Sequence, residues 1–390
     1  MAQKKISPGL TLAALAISAF AIGSTEFISV GLIPLLVKSF SISVSQAGIT
    51  VSIYALGITF GAPLLTILTG TWDRKRLIIA IMITFIIDNI ISAIAPSFII
   101  LLLGRIIASL AHGIFMSISS VIAADVVVPS KRASAISIMF TGLTVATVTG
   151  VPLGTFIGQH TLWHWSFIFI SIIGLIGLVA NYFLIPDGLP IPGKSNLAGF
   201  GRVLKNPSIL LALLITAFGY GGTFTAYTFL TPILENSLGF SATAVVIILI
   251  VYGLMVAIGN TLGGCLANHN PVKALIYMFL GLAIVLLLLF VTVHFKYLGL
   301  ISVLLMGFFA FMNVPGLQLY IVQLAEKYTP KDISFASSLN ISAFNIGISL
   351  GSLIGGQVTN NLSVTLTPIF GALMVFIAIG MTMYLQKREK

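Results

Sequence analysis

Twelve apolar stretches, each long enough as a helix to cross a hydrocarbon core of about 30 Å, divide this chain almost from end to end. They run over Leu10–Val37, Gln46–Thr69, Leu77–Ala95, Phe98–Asp125, Ala133–Ile157, Trp163–Ile185, Pro207–Thr231, Ala242–Ala267, Val272–Val293, Tyr297–Gln323, Ile333–Gln357 and Val364–Gln386. A backbone facing lipid must satisfy its own hydrogen bonds, so these runs predict helices. The alternating pattern of a membrane barrel is absent. With 58% apolar and 7% charged residues, a water-soluble fold is excluded. The formal charge of +10 does not point to nucleic acid, because the basic residues sit in short clusters between uncharged runs and form no continuous basic face. Cys265 is the single cysteine, which leaves no internal disulfide and no cysteine cage for a metal.

An even number of spans puts both termini on one side, and the basic residues say which. Sixteen of the nineteen Lys and Arg residues fall in segments on the side of the termini and only Lys38 and Lys296 on the other, with Arg105 inside the fourth run. The positive-inside rule then predicts cytoplasmic termini in a multi-pass membrane protein. The first run is too long for the core of a signal peptide and lacks a small-residue cleavage pattern, which reads as a retained span.

The chain also repeats itself. A shift of 198 positions pairs Gly23 with Gly221, Pro34 with Pro232, Tyr54 with Tyr252, Gly61 with Gly259 and Lys75 with Lys273, and a shift of 197 lays Gly150, Gly154 and Gly158 on Gly347, Gly351 and Gly355. The expected organisation is therefore an N-terminal six-helix bundle (1–186), a mobile cytoplasmic linker (187–206) rich in Pro, Gly and Lys, and a C-terminal six-helix bundle (207–390).

Polar residues inside the apolar runs carry the chemistry, because a charge at that depth costs about 2.5–3.5 kcal/mol. Glu26 lies a little outward of the middle of the first run. An apolar surrounding favours a neutral carboxyl and a nearby cation favours a charged one, so a group alternating between them can carry a proton. A static ion pair between two helices is the plainer alternative. Arg105, in the outer part of the fourth run, cannot discharge and needs a partner; its depth matches that of Glu26, which predicts an ion pair between them. His112, seven residues on, shares its face and could donate to a solute or simply pack. Asp88, beside Asn89 in the third run, is either a second proton site or a local helix contact. Asp73, Arg74, Lys75 and Arg76 after the second run, with Asp125 at the end of the fourth, form a cytoplasmic charge cluster suited to latching one conformation, each surface pair being worth about 1 kcal/mol. In the fifth run Gly150, Gly154 and Gly158 line one face around Pro152, predicting close packing and a bend. Tyr220, Tyr227, Asn313, Gln318 and Asn345 are candidates to line a solute cavity. There is no phosphate loop, zinc-ligand spacing or nucleophile elbow, so an enzyme is not expected; no cofactor is implied, and an ion gradient would supply the energy.

Several segments together resemble the major facilitator superfamily, and within it the twelve-helix drug:proton antiporters that include bacterial sugar, arabinose and purine-nucleoside efflux permeases. They are Thr25-Glu26-Phe27 with Gly31-Leu32-Ile33-Pro34, Arg105 with Ala111-His112-Gly113-Ile114-Phe115, Lys131-Arg132-Ala133, Gly142-Leu143-Thr144 through Gly150-Val151-Pro152-Leu153-Gly154, Ala226-Tyr227-Thr228, and Phe344-Asn345-Ile346-Gly347. The resemblance implies two pseudo-symmetric bundles in a bacterial inner membrane. It implies that the Gly150/Pro152/Gly154 stretch is the exporters' fifth-helix motif, that Arg105 is tied to proton coupling, and that Glu26, His112 and Asn345 line a central cavity. The loop after the second helix departs from the family pattern: Gly70 stands where an acid is usual and Asp73 where a glycine is, which weakens the expectation of gating there. The function expected is antiport of protons against a small solute by alternating access, the solute being a sugar, nucleoside or similar neutral polar metabolite. An amphiphilic antibiotic and proton-coupled uptake are the alternatives. Protons, solute and bilayer are the expected partners, and a monomer the expected unit.

Overall fold

The computed structural model describes residues 7–69, 71–128, 132–189, 197–267, 270–330 and 332–389. Gly70 and Lys131, named above, lie outside the described residues. Twelve helices among them are long and apolar enough to span a membrane: Pro8–Phe40, Val44–Leu65, Arg74–Ala93, Phe98–Ser119, Ile138–His160, Trp163–Leu184, Pro207–Tyr227, Ala242–Ala267, Pro271–Thr292, Lys296–Tyr328, Ala336–Asn361 and Val364–Arg388. They match the twelve expected runs to within a few residues and are called spans 1 to 12 here. Short polar side chains close their starts. Asp73 accepts from the Arg76 amide, Ser97 from Ile100, Asn206 from Ser208 and Ile209, and Asn270 from Lys273, each satisfying amide groups that the first turn leaves open.

The chain packs as two compact units, residues 1–32 with 60–195, and residues 33–59 with 196–390. The division at 195/196 falls inside the expected linker, but residues 33–59 group with the second unit rather than with the rest of 1–186. Within that unit Ser342 donates to the Thr59 carbonyl at 3.3 Å and Thr59 to the Ser342 carbonyl at 3.5 Å.

The helix-packing motifs work as close approaches. In the second unit a methyl on Gly347, Gly351 or Gly355 of span 11 would strike the carbonyl oxygens of Ala217, Gly221 and Thr225, one per turn of span 7. In the first unit Gly150 meets Ser24 and Gly154 meets Ile28, on span 1.

Among the described residues several departures from regular helix fall beside a proline that lacks the amide for its ladder bond. Span 5 winds as a π-turn over Ala146–Gly150 immediately before Pro152, so the expected bend takes the form of a wide turn. Span 10 is interrupted at 311–313, between Lys296–Ala310 and Val314–Tyr328, with Pro315 in the first turn of the second piece. Beyond Tyr227 the chain turns into Leu230–Pro232 and a π-turn over Ile233–Ser237.

Residues 187–206 are not wholly irregular, as a mobile linker would require: Leu197–Lys205 is a helix. Arg202 on it donates from Nε and Nη2 to the two carboxylate oxygens of Asp332, both at 2.8 Å. The Arg202 guanidinium is held above its ordinary range first by that hydrogen bonding and then by the Asp332 charge.

At the far end of span 12 Glu389 gathers three donors: Ser208 Oγ at 2.6 Å, Lys327 Nζ at 2.8 Å and the Tyr328 hydroxyl at 2.9 Å. Burial works to raise the Glu389 carboxyl, but the hydrogen bonds from Lys327, Ser208 and Tyr328 and the Lys327 charge outweigh it and hold it below the ordinary glutamate value. A carboxyl held low stabilises the fold above the unfolded-state value of about 4.3 and loses that contribution as pH falls through its folded value. Thermal unfolding in detergent should therefore show Glu389→Gln less stable than the parent by about 1 kcal/mol or less at pH 7, the gap closing below about pH 4.

Candidate functional site

Spans 1, 3 and 4 of the first unit bring most of the intramembrane charge together. Arg105 is 1% exposed, so its guanidinium must be satisfied by protein. Two of its nitrogens are held by span 1, but not in the way expected. Nη1 donates to the main-chain carbonyl of Thr25 at 2.6 Å and Nη2 to that of Glu26 at 3.1 Å. Among the described residues no ion pair joins Arg105 to the Glu26 carboxylate; the pairs present are Arg74–Asp125, Lys75–Asp187, Arg202–Asp332 and Lys327–Glu389. Helical carbonyls keep a second lone pair after making their ladder bonds, and a planar fork of donors can reach two in succession. The arginine thus clamps the backbone of span 1 at the residue that carries the acid, while the Glu26 side chain is buried beside it at 9% exposure.

The network continues through two residues that the sequence reading did not single out for a role. Thr25 Oγ1 donates to Asn89 Oδ1 at 2.6 Å, and Asn89 Nδ2 donates to Asp88 Oδ1 at 2.7 Å and to the Phe85 carbonyl at 2.8 Å. Asp88 is fully buried, and its second oxygen, Oδ2, has no hydrogen-bond partner. Thr25 is therefore held from both sides, its carbonyl by span 4 and its hydroxyl by span 3. The adjacency of Thr25 to Glu26 and of Asn89 to Asp88 was the available signal, but nothing in the spacing says that the two pairs meet. His112 is buried two turns along span 4 from Arg105.

The charge cluster expected after span 2 is assembled in part. Arg74, buried, pairs with Asp125, and Lys75 with Asp187 at 3.0 Å. Among the described residues Asp73 joins no ion pair: its carboxylate caps the helix at the Arg76 amide, and the Arg76 side chain is exposed.

In the second unit the five candidate lining residues separate into two kinds. Gln318 is committed to structure: it donates to Ser337 Oγ at 2.6 Å and accepts from Asn340 Nδ2 at 2.8 Å, while Asn340 Oδ1 accepts from Thr216 at 2.7 Å, joining spans 7, 10 and 11. Tyr227 stacks on Tyr252 with centroids 5.3 Å apart. Tyr220 packs edge-on against Phe311 and Phe344 at 5.4 and 5.0 Å. Asn313, at the interruption of span 10, is fully buried with neither amide atom hydrogen-bonded, and Asn345 Oδ1 is likewise without a partner. Buried amides of this kind are costly unless something satisfies them. Asn313 and Asn345 share this state with Thr223, Thr231, Tyr252, Tyr320 and Ser349 of the same unit. No group of three or more His, Cys, Asp or Glu residues placed to hold a metal occurs among the described residues.

Twelve spans with buried charged and polar side chains define a polytopic membrane protein. Residues 15–329 match the Major Facilitator Superfamily profile, and the chain belongs to that superfamily of membrane transporters. It is 52% identical over 379 residues to the uncharacterised MFS-type transporter YtbD of Bacillus subtilis, covering 97% of this chain and 96% of that one. It is 37% identical to the inner membrane transport protein YdhP of Escherichia coli K12, over 94% of each. Among solved structures it superposes on a D-xylose–proton symporter with a TM-score of 0.78 at 16% identity, covering 96% of this chain and 97% of that one. A bacterial homologue of the human lysosomal transporter Spinster, inward-facing and unoccupied, gives 0.77 at 17% identity over 98% of each. These likenesses establish the fold: an all-helical transporter with twelve transmembrane helices.

Removing the Thr25 hydroxyl with Thr25→Val should lower stability by about 0.6–1.7 kcal/mol, the range for one buried bond between membrane helices. Arg105→Lys, which replaces a two-pronged donor by a point charge on a shorter stem, should cost more. Thermal unfolding of the purified variants checks both.

Proposed function

We propose that this protein is an inner-membrane antiporter that drives a small solute out of the cell with protons moving in. The carrying observation is the buried carboxyl of Glu26 on a stretch of span 1 whose backbone is clamped by Arg105. A proton on Glu26 would neutralise the negative charge beside that clamp; its release would leave a charge next to a fixed cation and favour a different arrangement of spans 1 and 4. Arg105 then acts as the permanent positive reference against which Glu26 is charged or neutral. Asp88, the other carboxyl of the network, offers a second place for a proton. Each proton entering down 100 mV supplies about 2.3 kcal/mol, enough for about a fiftyfold solute gradient. The cytoplasmic side of both termini, read from the basic residues, fits this orientation, and the name of the Escherichia coli relative supports an inner membrane.

The solute class favoured is a neutral polar metabolite such as a sugar or nucleoside. Asn313 and Asn345 offer donors and acceptors without net charge, and Tyr220, Phe311 and Phe344 offer ring faces and edges. The same ring cluster supports an amphiphilic drug as the second reading. Export rather than uptake rests on the Gly150/Pro152/Gly154 motif with its π-turn. The symporter among the structural neighbours makes uptake the reading to test against.

Proteoliposomes loaded with sugars, nucleosides or drugs decide among these. The parent protein should concentrate one class when a pH gradient is imposed, with flux opposite to that of protons. Glu26→Gln should still exchange solute for solute but fail to accumulate it. Unaltered pH-driven accumulation by Glu26→Gln would remove that residue from the mechanism, and flux in the direction of the protons would make the protein a symporter.

A further inference from the structure

A cavity of about 380 Å³ opens on the second unit near the start of span 9, outside the network described above. Its apolar wall includes Leu266 of span 8 and Phe309 and Met312 of span 10, and its mouth is formed by Asn270, Lys273 and Tyr277. A second cavity of about 420 Å³ adjoins it, shares those three mouth residues and reaches Gln386 on span 12. Lys273 and Tyr277 thus form a ridge with an apolar groove on one side and a more polar recess on the other.

The position on the fold limits what such a groove can hold. Lys273 is the third residue of Pro271–Thr292, and the loop before it lies on the face of the membrane where the termini emerge, by the alternation of twelve spans. At about 1.5 Å per residue, the groove runs from that boundary roughly 10 Å down to Met278. Tyr277 is 62% exposed and Leu266 54% exposed. An exposed tyrosine one turn inside the boundary is an interfacial anchor, and an apolar groove beneath it faces acyl chains.

Charge decides which lipid. Lys273 is exposed, and among the described residues it makes no ion pair. Spans 8 and 9 contain no acid, and of the acids ending the other two elements, Glu389 on span 12 is already bound by Ser208, Lys327 and Tyr328, which leaves Glu326 on span 10 as the one carboxylate not so committed. A mouth with a lysine outside any ion pair beside Asn270 and Tyr277, above an apolar groove between helices, suits a phosphate diester headgroup with its chain below.

We propose that this groove is a binding site for an anionic phospholipid of the leaflet on the termini's side, its phosphate held at Lys273 with Asn270 and Tyr277 and one acyl chain lying against Leu266, Phe309 and Met312. Lipid retention by the purified protein, measured by native mass spectrometry with phosphatidylglycerol or phosphatidylcholine of identical chains, tests it. The parent should prefer phosphatidylglycerol by at least about fivefold, the contribution of one basic side chain near an anionic surface. Lys273→Gln should lose that preference. Lys296→Gln, an exposed lysine at the opposite end of a span, should keep it. Equal retention of the two lipids by the parent, an undiminished preference in Lys273→Gln, or an equal loss in Lys296→Gln would overturn the proposal. Displacement of the lipid by soluble glycerophosphate would do so too, since the site would then read free phosphate.

Discussion

A guanidinium that can never be neutral sits sealed between spans 1, 3 and 4, and the first unit is arranged around satisfying it. Hydrocarbon offers no hydrogen bonds, so the donors of Arg105 depend on protein acceptors. Two of its nitrogens, Nη1 and Nη2, find the carbonyls of Thr25 and Glu26. A backbone acceptor differs from a carboxylate partner in one respect that matters for transport: it cannot be protonated away. The atoms of span 1 that Arg105 holds are therefore ones that do not titrate. Thr25, Asn89 and Asp88 extend the same logic to span 3, each polar atom leaning on the next.

The two units handle their polar groups differently. The first concentrates charge in one connected network. The second has no charged residue in that role; Thr216, Asn340, Gln318 and Ser337 knit spans 7, 10 and 11 together, while Asn313 and Asn345 hold unused amide capacity. Both units rely on the same repeated glycine spacing to bring a helix pair together, spans 1 and 5 in one and spans 7 and 11 in the other. The duplication is thus retained in packing, while the two copies differ in the polar groups they bury.

Much of this was legible in the residue order, for physical reasons that differ by feature. The spans are legible because crossing lipid demands a long uncharged run. The Gly347/Gly351/Gly355 contact is legible because a four-residue spacing has one geometric use on a helix. The nearness of Arg105 to Glu26 follows from depth alone. The atom that the arginine chooses does not, because a carbonyl acceptor leaves no mark in the sequence. Gln318 looked like a lining residue for a similar reason: a polar side chain in an apolar run signals a partner without saying whether that partner is Ser337 or a solute. Asp73 shows the same ambiguity at the boundary, where a carboxylate before a helix serves as a cap as readily as a latch. The helix at Leu197–Lys205 was hidden by its flanking prolines and glycines, which dominate the composition of the linker.

The π-turn over Ala146–Gly150 has a further effect on span 5. Five residues in one wide turn amount to a single extra residue relative to regular winding, which rotates everything beyond by about 100° around the axis. The lower stretch of that span and the upper stretch from Val151 onward consequently present differently registered faces, though they are one rod. Tightening the wide turn would spin the upper stretch back by one position without breaking either end, a rotary adjustment stored within a single helix.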